Sequence, residues 1–279
     1  MIFYFSGTGN TRWAAELVAK ATGERLVYIP DAMRAGRYEY TLMEGERLGF
    51  CFPTHGWQPP RLVREFVGEL KLHSAATPQD GDDTTGAACH YCWALTTCGD
   101  NMGETMTIFN KELEAKGLRA QSMFAVVMPE SNVCFPFLHL DTAEREQAKI
   151  ARARERMEHV CRVIEARQQG VVELVKGAIP RTYSYVIGEY YNRHLIRDDK
   201  LWVDEVACVR CGRCQQLCPV DDISTTAQGD GTTDGQATPP RWLHNGRCTN
   251  CLACYHYCPQ HAIHWGKMVR GQYHFRGER

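Results

Sequence analysis

Two runs of cysteines in the last third of the chain constrain its fold more than any other feature. Each run has the spacing C-x2-C-x2-C-x3-C-P, and the second repeats the first 40 residues later. The runs contain Cys208, Cys211, Cys214 and Cys218, and then Cys248, Cys251, Cys254 and Cys258. Three thiolates separated by two residues each can wrap one cube of iron and sulfide, and a fourth ligand then approaches from the far side. The spacing therefore predicts metal-bound cysteines.

The two runs resemble those of bacterial ferredoxins, which hold two [4Fe-4S] clusters and have the same proline after the fourth cysteine. In those proteins the fourth cysteine of each run binds the cluster of the other run. The resemblance therefore implies that cluster one is held by Cys208, Cys211, Cys214 and Cys258. By the same rule, cluster two is held by Cys248, Cys251, Cys254 and Cys218.

Zinc is the alternative metal for these cysteines. Zinc sites take four ligands, typically from two C-x2-4-C pairs, so eight cysteines could hold two zinc ions. A third cysteine at equal spacing and a following proline are not expected for zinc, and both features occur twice here. The pattern therefore favours iron–sulfur clusters.

Charge and composition bear on the compartment and the partners. The chain has 279 residues, enough for one or two domains, and its 32 Lys+Arg against 33 Asp+Glu give a formal net charge of −1. This balance gives no strong attraction for nucleic acid or an anionic membrane. Neither an export signal nor a membrane-spanning apolar stretch is visible. The sequence predicts a cytoplasmic protein, where clustered cysteines bind metal more often than they form disulfides.

A second candidate site lies at the start of the chain. Residues 1–5 form a short apolar run that is typical of a parallel strand buried on both faces. A helical pattern ending near Gly23 follows after a short polar loop. A strand, a loop and a helix N-terminus in this order form a phosphate cradle, because backbone N–H groups and the helix dipole point at the anion. The predicted cradle comprises Ser6, Gly7, Thr8, Gly9, Asn10 and Thr11.

The kind of phosphate follows from what the loop lacks. It has no lysine of the triphosphate-binding loop, and Arg12 stands where the dinucleotide fingerprint needs a small residue. The loop resembles the T/S-x-T-G-x-T loop of flavodoxins, which binds the phosphate of FMN. The resemblance implies FMN as a cofactor.

The flavodoxin resemblance extends over residues 1–170, where strand and helix patterns alternate. Strands are predicted at 1–5, 26–29, 47–52, 91–97 and 123–128, and helices after the cradle and at 59–70, 104–116 and 142–169. The predicted fold class is α/β, with a flavodoxin-like, doubly wound parallel sheet of five strands in the order 2-1-3-4-5. Such a sheet binds FMN at the switch point between strands 1 and 3.

The same rule predicts which loops contact the flavin ring. After the third strand come Pro53, Thr54, His55, Gly56 and Trp57, and after the fourth come Thr97, Cys98, Gly99, Asp100, Asn101, Met102 and Gly103. Trp57 is the candidate to stack on the ring, with a core position as the alternative. Gly56 can adopt either sign of φ, so a peptide flip there could serve flavin N5, or the residue only makes a turn. His55 is expected to be structural rather than a proton donor.

The remaining segments complete the predicted domain organisation. Residues 1–170 are the FMN domain, 171–200 a tyrosine-rich connector that packs on it, and 201–279 a small α+β domain with two clusters. Short strands are predicted before each cysteine run, at 199–203 and 241–244, and a surface loop at 224–240.

Cys89 and Cys92 form a C-x2-C pair outside the two runs. They lie at the start of the fourth predicted strand rather than at a helix N-terminus, so their thiolates gain no support from a helix dipole. Buried structural cysteines are therefore predicted, rather than a redox pair.

The whole chain resembles the fused flavodoxin–ferredoxin proteins of anaerobic bacteria and archaea. This implies intracellular electron transfer that couples one-electron clusters to a flavin holding one or two electrons, with separate redox proteins as donor and acceptor. One alternative is an FMN-dependent reductase of a small organic substrate, bound over the flavin near His55, Trp57 and Cys134. The other is a redox or oxygen sensor, although no DNA-binding helix or basic stripe is visible.

Overall fold

The computed structural model describes residues 1–75, 90–134, 139–225, 238–267 and 271–275. The described part of residues 1–175 contains eight strands: β1 (Ile2–Tyr4), β2 (Leu26–Tyr28), β3 (Glu39–Leu42), β4 (Leu48–Pro53), β5 (Lys71–Ser74), β6 (Cys92–Cys98), β7 (Ser122–Val127) and β8 (Val172–Glu173). Six of them form one sheet in the order β2-β1-β4-β6-β7-β8. Every neighbouring pair in it is parallel.

Helices cover both faces of this sheet. They are α1 (Asn10–Thr22), α2 (Ile29–Arg34), α3 (Arg61–Glu69), α4 (Thr105–Glu114) and α5 (Ala143–Glu165). Alternate residues of a strand point to opposite faces, so Phe3 packs with the core of α3 and α4, whereas Ile2 packs with that of α1 and α5. The α/β class with flanking helices is confirmed.

The predicted number of five strands was wrong, because β8 adds a sixth strand at the edge beside β7. This strand has two residues and follows a left-handed Gly170, so it carries no readable alternation of apolar and polar residues. A further parallel pair, β3 with β5, was not predicted either. Tyr40 and Leu42 of β3 contribute to the core on the α3 side.

Two antiparallel ribbons frame the cysteine runs. They are built from β9 (Leu201–Val203), β10 (Ile223–Ser224), β11 (Arg241–Trp242) and β12 (Ile263–Trp265), and each run contains one short helix, α8 (Arg213–Leu217) or α9 (Ala253–His256). In these ribbons β9 pairs with β12 and β10 pairs with β11. Most of the predicted 224–240 loop lies outside the described residues, and so does Cys89.

The sequence repeat reappears in the backbone. Left-handed φ values recur at the same 40-residue offset, at 210 and 250, 212 and 252, and 221 and 261. The amide of Asp222 donates to Cys218 Sγ over 3.2 Å, and the amide of Ala262 donates to Cys258 Sγ over 3.3 Å. The two runs therefore fold alike, with N–H groups directed at matching sulfurs.

The connector is structured rather than loose. After β8 it forms α6 (Pro180–Thr182), a π-helix at Tyr183–Gly188 and α7 (Glu189–His194). Ser184 is fully buried. Its hydroxyl accepts from the amide of Glu104 and donates to the carbonyl of Trp57, each over 2.7 Å. One hydroxyl thus fixes the connector to two loops at the carboxyl edge of the sheet.

Removing that hydroxyl should destabilise the fold. We expect Ser184→Ala to lower the free energy of unfolding by about 1–3 kcal/mol, because a buried donor and a buried acceptor both lose their partner. The measurement is urea denaturation, compared with Tyr185→Ala at the neighbouring, exposed position. Equal effects of the two substitutions would contradict the role given to Ser184.

Among the residues that the structure describes, no helix combines the length and the apolar character needed to cross a bilayer.

Candidate functional site

The loops that follow β1, β4 and β6 meet at the carboxyl edge of the sheet and line one cavity. Most of the predicted cradle and ring contacts border it: Ser6, Gly7, Thr8, Asn10, Thr11, Pro53, Thr54, His55, Gly56, Trp57, Thr97, Cys98, Gly99, Asp100 and Asn101. Parallel strands place their carboxyl ends at one edge, so segments far apart in sequence converge there.

Three predicted residues lie elsewhere. Gly9 caps α1 beside the C-terminal segment, where a Cβ would stand 3.0 Å from the carbonyl oxygen of Phe275. Met102 is fully buried in the core. Gly103 packs against the Ser184 hydroxyl.

Other parts of the cavity wall were not predicted. They are Pro129, Glu130, Ser131 and Asn132 after β7, Tyr191 of the connector, and Asn250, Cys251 and Leu252 of the second cysteine run. The first four follow a strand at the same sheet edge, so the rule already applied to β4 and β6 could have found them. The others come from surfaces that meet only in the folded chain.

The cradle presents the N-terminus of α1 to the cavity. Gly9 is left-handed, with φ 97°, and its amide donates to Ser6 Oγ over 3.1 Å. The first intrahelical bond runs from the Trp13 amide to the Gly9 carbonyl. The amides of residues 10–12 are therefore those that a helix leaves for an outside acceptor. Together with the hydroxyls of Thr8 and Thr11, this donor set suits a phosphate.

The second cysteine run packs directly on the cradle. A Cβ at Gly7 would lie 2.6 Å from the carbonyl oxygen of Cys251. The amide of Phe275 donates to the Thr8 carbonyl over 2.8 Å. A glycine at position 7 is thus required for the close approach of the cradle and the second cysteine run, in addition to its place in the predicted phosphate loop.

Two further contacts join the cysteine-rich part to the sheet. Tyr273 donates its hydroxyl to Asn10 Oδ1 over 2.6 Å. Arg34 of α2 forms an ion pair with Asp221 over 2.9 Å and donates to the Cys218 carbonyl. These contacts hold the cysteine runs over the carboxyl edge of the sheet.

The loop after β4 is held by the connector. Gly56 is left-handed, and a Cβ there would lie 2.2 Å from the Tyr191 ring. Asn192 donates its side-chain amide to the Gly56 carbonyl over 3.4 Å. One face of Trp57 stacks on Tyr183, with ring centroids 5.2 Å apart and an angle of 14°. A flavin could therefore stack only on the face of Trp57 that does not contact Tyr183. Stacking of Trp57 on a flavin stays a prediction.

Two buried polar atoms of the cavity wall bear on the kind of group that the cavity fits. Within the described residues, His55 Nδ1 and Asn101 Oδ1 are buried without a hydrogen-bond partner. Unsatisfied buried polar atoms are rare, and a ligand is one explanation for them. The edge of a flavin ring carries an N–H donor at N3 and several acceptor atoms, which would satisfy polar atoms of this kind. The residues present therefore fit a group that has a phosphate at one end and a polar ring at the other.

The carboxyl group of Glu130 lies in this wall against Gly99, in addition to that of Asp100. It accepts from the amides of Ser131 and Asn132 over 2.8 and 2.7 Å. Burial raises the pKa of Glu130 against the opposing effect of these amides and of Lys149.

Acid should weaken the packing around His55. Burial lowers its pKa to about 4, against a hydrogen bond to the Thr249 backbone. The folded ring therefore stays neutral while the unfolded ring, with a pKa near 6.5, takes up a proton. The contribution of His55 to the free energy of unfolding is therefore fully present above about pH 6.5 and is lost as the pH drops toward 4.

We expect the contribution of His55 to lower the free energy of unfolding by about 1.3 kcal/mol between pH 7.5 and pH 5.5. Thermal unfolding at the two pH values measures it. His55→Gln should lose this part of the pH dependence, and an unchanged pH dependence in that variant would contradict the assignment.

The eight cysteines of the two runs line two further cavities. One is bordered by Cys208, Cys211, Cys214 and Cys258, and the other by Cys218, Cys248, Cys251 and Cys254. Each cavity thus brings together three cysteines of one run and the fourth of the other. This is the grouping that the ferredoxin resemblance implies, and the assignment of the cluster ligands remains a prediction.

In the described ranges, no three His, Cys, Asp or Glu side chains are grouped as ligands of a single ion. A cubane needs a wider spacing than zinc, since each thiolate binds a different iron. Burial raises the pKa of Cys251 to about 12 and that of Cys254 well above its usual range. Metal binding must therefore displace protons from these thiols.

Comparison with known proteins supports the iron–sulfur part. One protein family matches, described as a 4Fe-4S dicluster domain, over residues 200–259. Neither a curated protein nor a solved structure matches the chain. The match supports a ferredoxin-like iron–sulfur domain and electron transfer through it. It does not reach the parallel sheet, so FMN stays a prediction.

Proposed function

We propose that this chain is an intracellular electron-transfer flavoprotein with two [4Fe-4S] clusters and one FMN. The cavity at the carboxyl edge of the sheet binds FMN, and the two cysteine-lined cavities hold the clusters. Clusters carry single electrons, whereas FMN can hold one or two. The protein would therefore exchange single electrons with one redox protein and electron pairs with another.

One observation carries this proposal: Cys251 borders both the cluster-two cavity and the cavity proposed for FMN. Asn250 and Leu252 also border both. A cluster bound to Cys251 would be separated from the flavin by little more than this segment. None of the described residues that line the cluster-one cavity borders the cavity proposed for FMN, so the centres would follow the order cluster one, cluster two, FMN.

Residues of this chain would have three tasks. Amides at the start of α1 and the hydroxyls of Ser6, Thr8 and Thr11 would hold the phosphate. His55 and Asn101 would accept from the ring, and the loop after β4 would be fixed by the connector. The N–H groups of Asp222 and Ala262 would hydrogen-bond the sulfurs of Cys218 and Cys258, which tunes the potential of a cluster.

The reductase alternative has less support. Such an enzyme needs an open pocket over the flavin for its substrate. Here Tyr191 of the connector and residues 250–252 form part of the cavity wall. These residues take up part of the space beside the predicted ring position, which favours electron transfer within the chain over binding of an additional organic molecule.

Anaerobic purification followed by metal and flavin analysis tests the proposal. We expect about eight irons per chain, four for each cluster, and one FMN. A redox titration followed by absorbance and EPR should resolve three centres. Zinc in place of iron, or iron without flavin, would overturn the proposal.

A further inference from the structure

The cysteines of the two cluster cavities differ in how far they are exposed to solvent. Of the cluster-two cysteines, Cys251 borders the cavity at the carboxyl edge of the sheet, and Cys254 is buried in the hydrophobic core around the cysteine runs. Cys211 of cluster one is exposed. An external electron carrier can therefore come closest to cluster one, at the segment around Cys211.

Two large apolar side chains stand exposed on this segment. Val206 is 99% exposed and Val209 is 57% exposed. Asp204 fixes the turn, because its carboxylate accepts from the amides of Val206 and Ala207 over 3.0 and 3.2 Å. Single exposed apolar residues are common, but here they flank an exposed cluster ligand. We call Val206, Val209, Arg210, Cys211 and Arg213 the cluster-one rim.

The rim also carries two unpaired cations. Arg210 and Arg213 stand on either side of Cys211, and both are exposed. Neither forms an ion pair with any part of the chain that the structure describes. The Arg213 guanidinium lies 5.7 Å from the centre of the Tyr257 ring, which holds it beside the second run. Glu205 is the acidic neighbour at the border of the rim.

These charges are local rather than a property of the whole molecule. Residues 201–279 carry eight Lys+Arg against seven Asp+Glu, which gives no large net field. Two guanidinium groups around an apolar centre can instead pair with carboxylates of a partner at short range. Arginine is suited to such contacts because its planar group binds carboxylates in a bidentate manner.

We propose that the cluster-one rim is the docking surface for an acidic one-electron carrier protein. This rests on the proposed function, since it requires a cluster behind the rim. In the transfer, the carrier loses one electron and cluster one gains it, and no bond is made or broken. The two valines make the apolar contact, and the two arginines orient the carrier and speed its association.

Stopped-flow reduction by a photoreduced, strongly acidic bacterial ferredoxin tests the docking surface. The variant is Arg210→Glu with Arg213→Glu, and cluster bleaching is followed at low and high salt. We expect the bimolecular rate constant to fall by about tenfold or more at low salt, because the reversed charges of the rim repel the carboxylates of the carrier. At high salt the difference should shrink, because screening removes the attraction.

The control pair is Arg37→Glu with Arg119→Glu, which reverses the same number of charges at exposed positions that precede β3 and β7. It should retain the rate of the unaltered protein. A rate unchanged in the rim variant, or lowered equally in the control, would overturn the docking surface. Dithionite separates the two proposals: it should bleach the clusters of all variants, and if it bleaches none, the proposed function itself fails.

Discussion

Replacing Cys251 by alanine should remove cluster two and disconnect the flavin from the cluster that remains. Iron should fall from about eight to about four per chain, because one cubane loses a ligand. In stopped-flow reduction with dithionite, the unaltered protein should show a flavin phase whose rate does not depend on reductant concentration. The variant should keep only a flavin phase whose rate is proportional to the dithionite concentration, because its flavin must be reduced directly by dithionite in solution.

Cys211→Ala is the matched control, at the same place in the first run. It should also lower the iron to about four per chain. Cluster two would stay beside the sheet-edge cavity, so the concentration-independent flavin phase should persist. Flavin content and circular dichroism of both variants show whether they remain folded. If both variants keep this phase, or both lose it with the flavin still bound, the order of centres is wrong.

The cysteine pattern could be interpreted from sequence because it is local and repeated. Spacing within a run is set by a few residues, and the repeat at 40 residues supplied an independent copy. The sheet-edge loops could also be predicted, since parallel strands followed by helices place their loop residues at one edge. This is why most of the cradle and ring contacts line one cavity.

What the sequence could not provide was the contact between distant surfaces. Tyr191 and Cys251 border the same cavity although they lie 60 residues apart in the sequence. The residues next to either of them in the sequence form no pattern that predicts this contact. Trp57 was predicted from its loop, but its stacking on Tyr183 depends on the path of the connector. Such contacts follow from packing of whole elements, which no short pattern encodes.

Gly7 offers the sharpest test of that packing. A Cβ at this position would lie 2.6 Å from the carbonyl oxygen of Cys251 and 2.9 Å from its Cβ. The first is a backbone atom, so the cradle and the cysteine run must move apart. Overpacking of this kind costs about 1–3 kcal/mol. We expect Gly7→Ala to weaken FMN binding by roughly 5- to 150-fold, since the cavity needs both walls in place.

Gly68→Ala is the matched control, because it adds the same methyl group within α3, where no atom lies within 4 Å. Alanine is favoured over glycine inside a helix by about 0.5–1 kcal/mol, so this variant should be as stable as the unaltered protein or more so. Titration with FMN, followed by quenching of flavin fluorescence, compares the affinities of chains that carry their clusters. The added methyl group at Gly7 must displace the backbone of Cys251. If Gly7→Ala and Gly68→Ala bind FMN with equal affinity, the close approach of Cys251 to the cradle does not shape the flavin site.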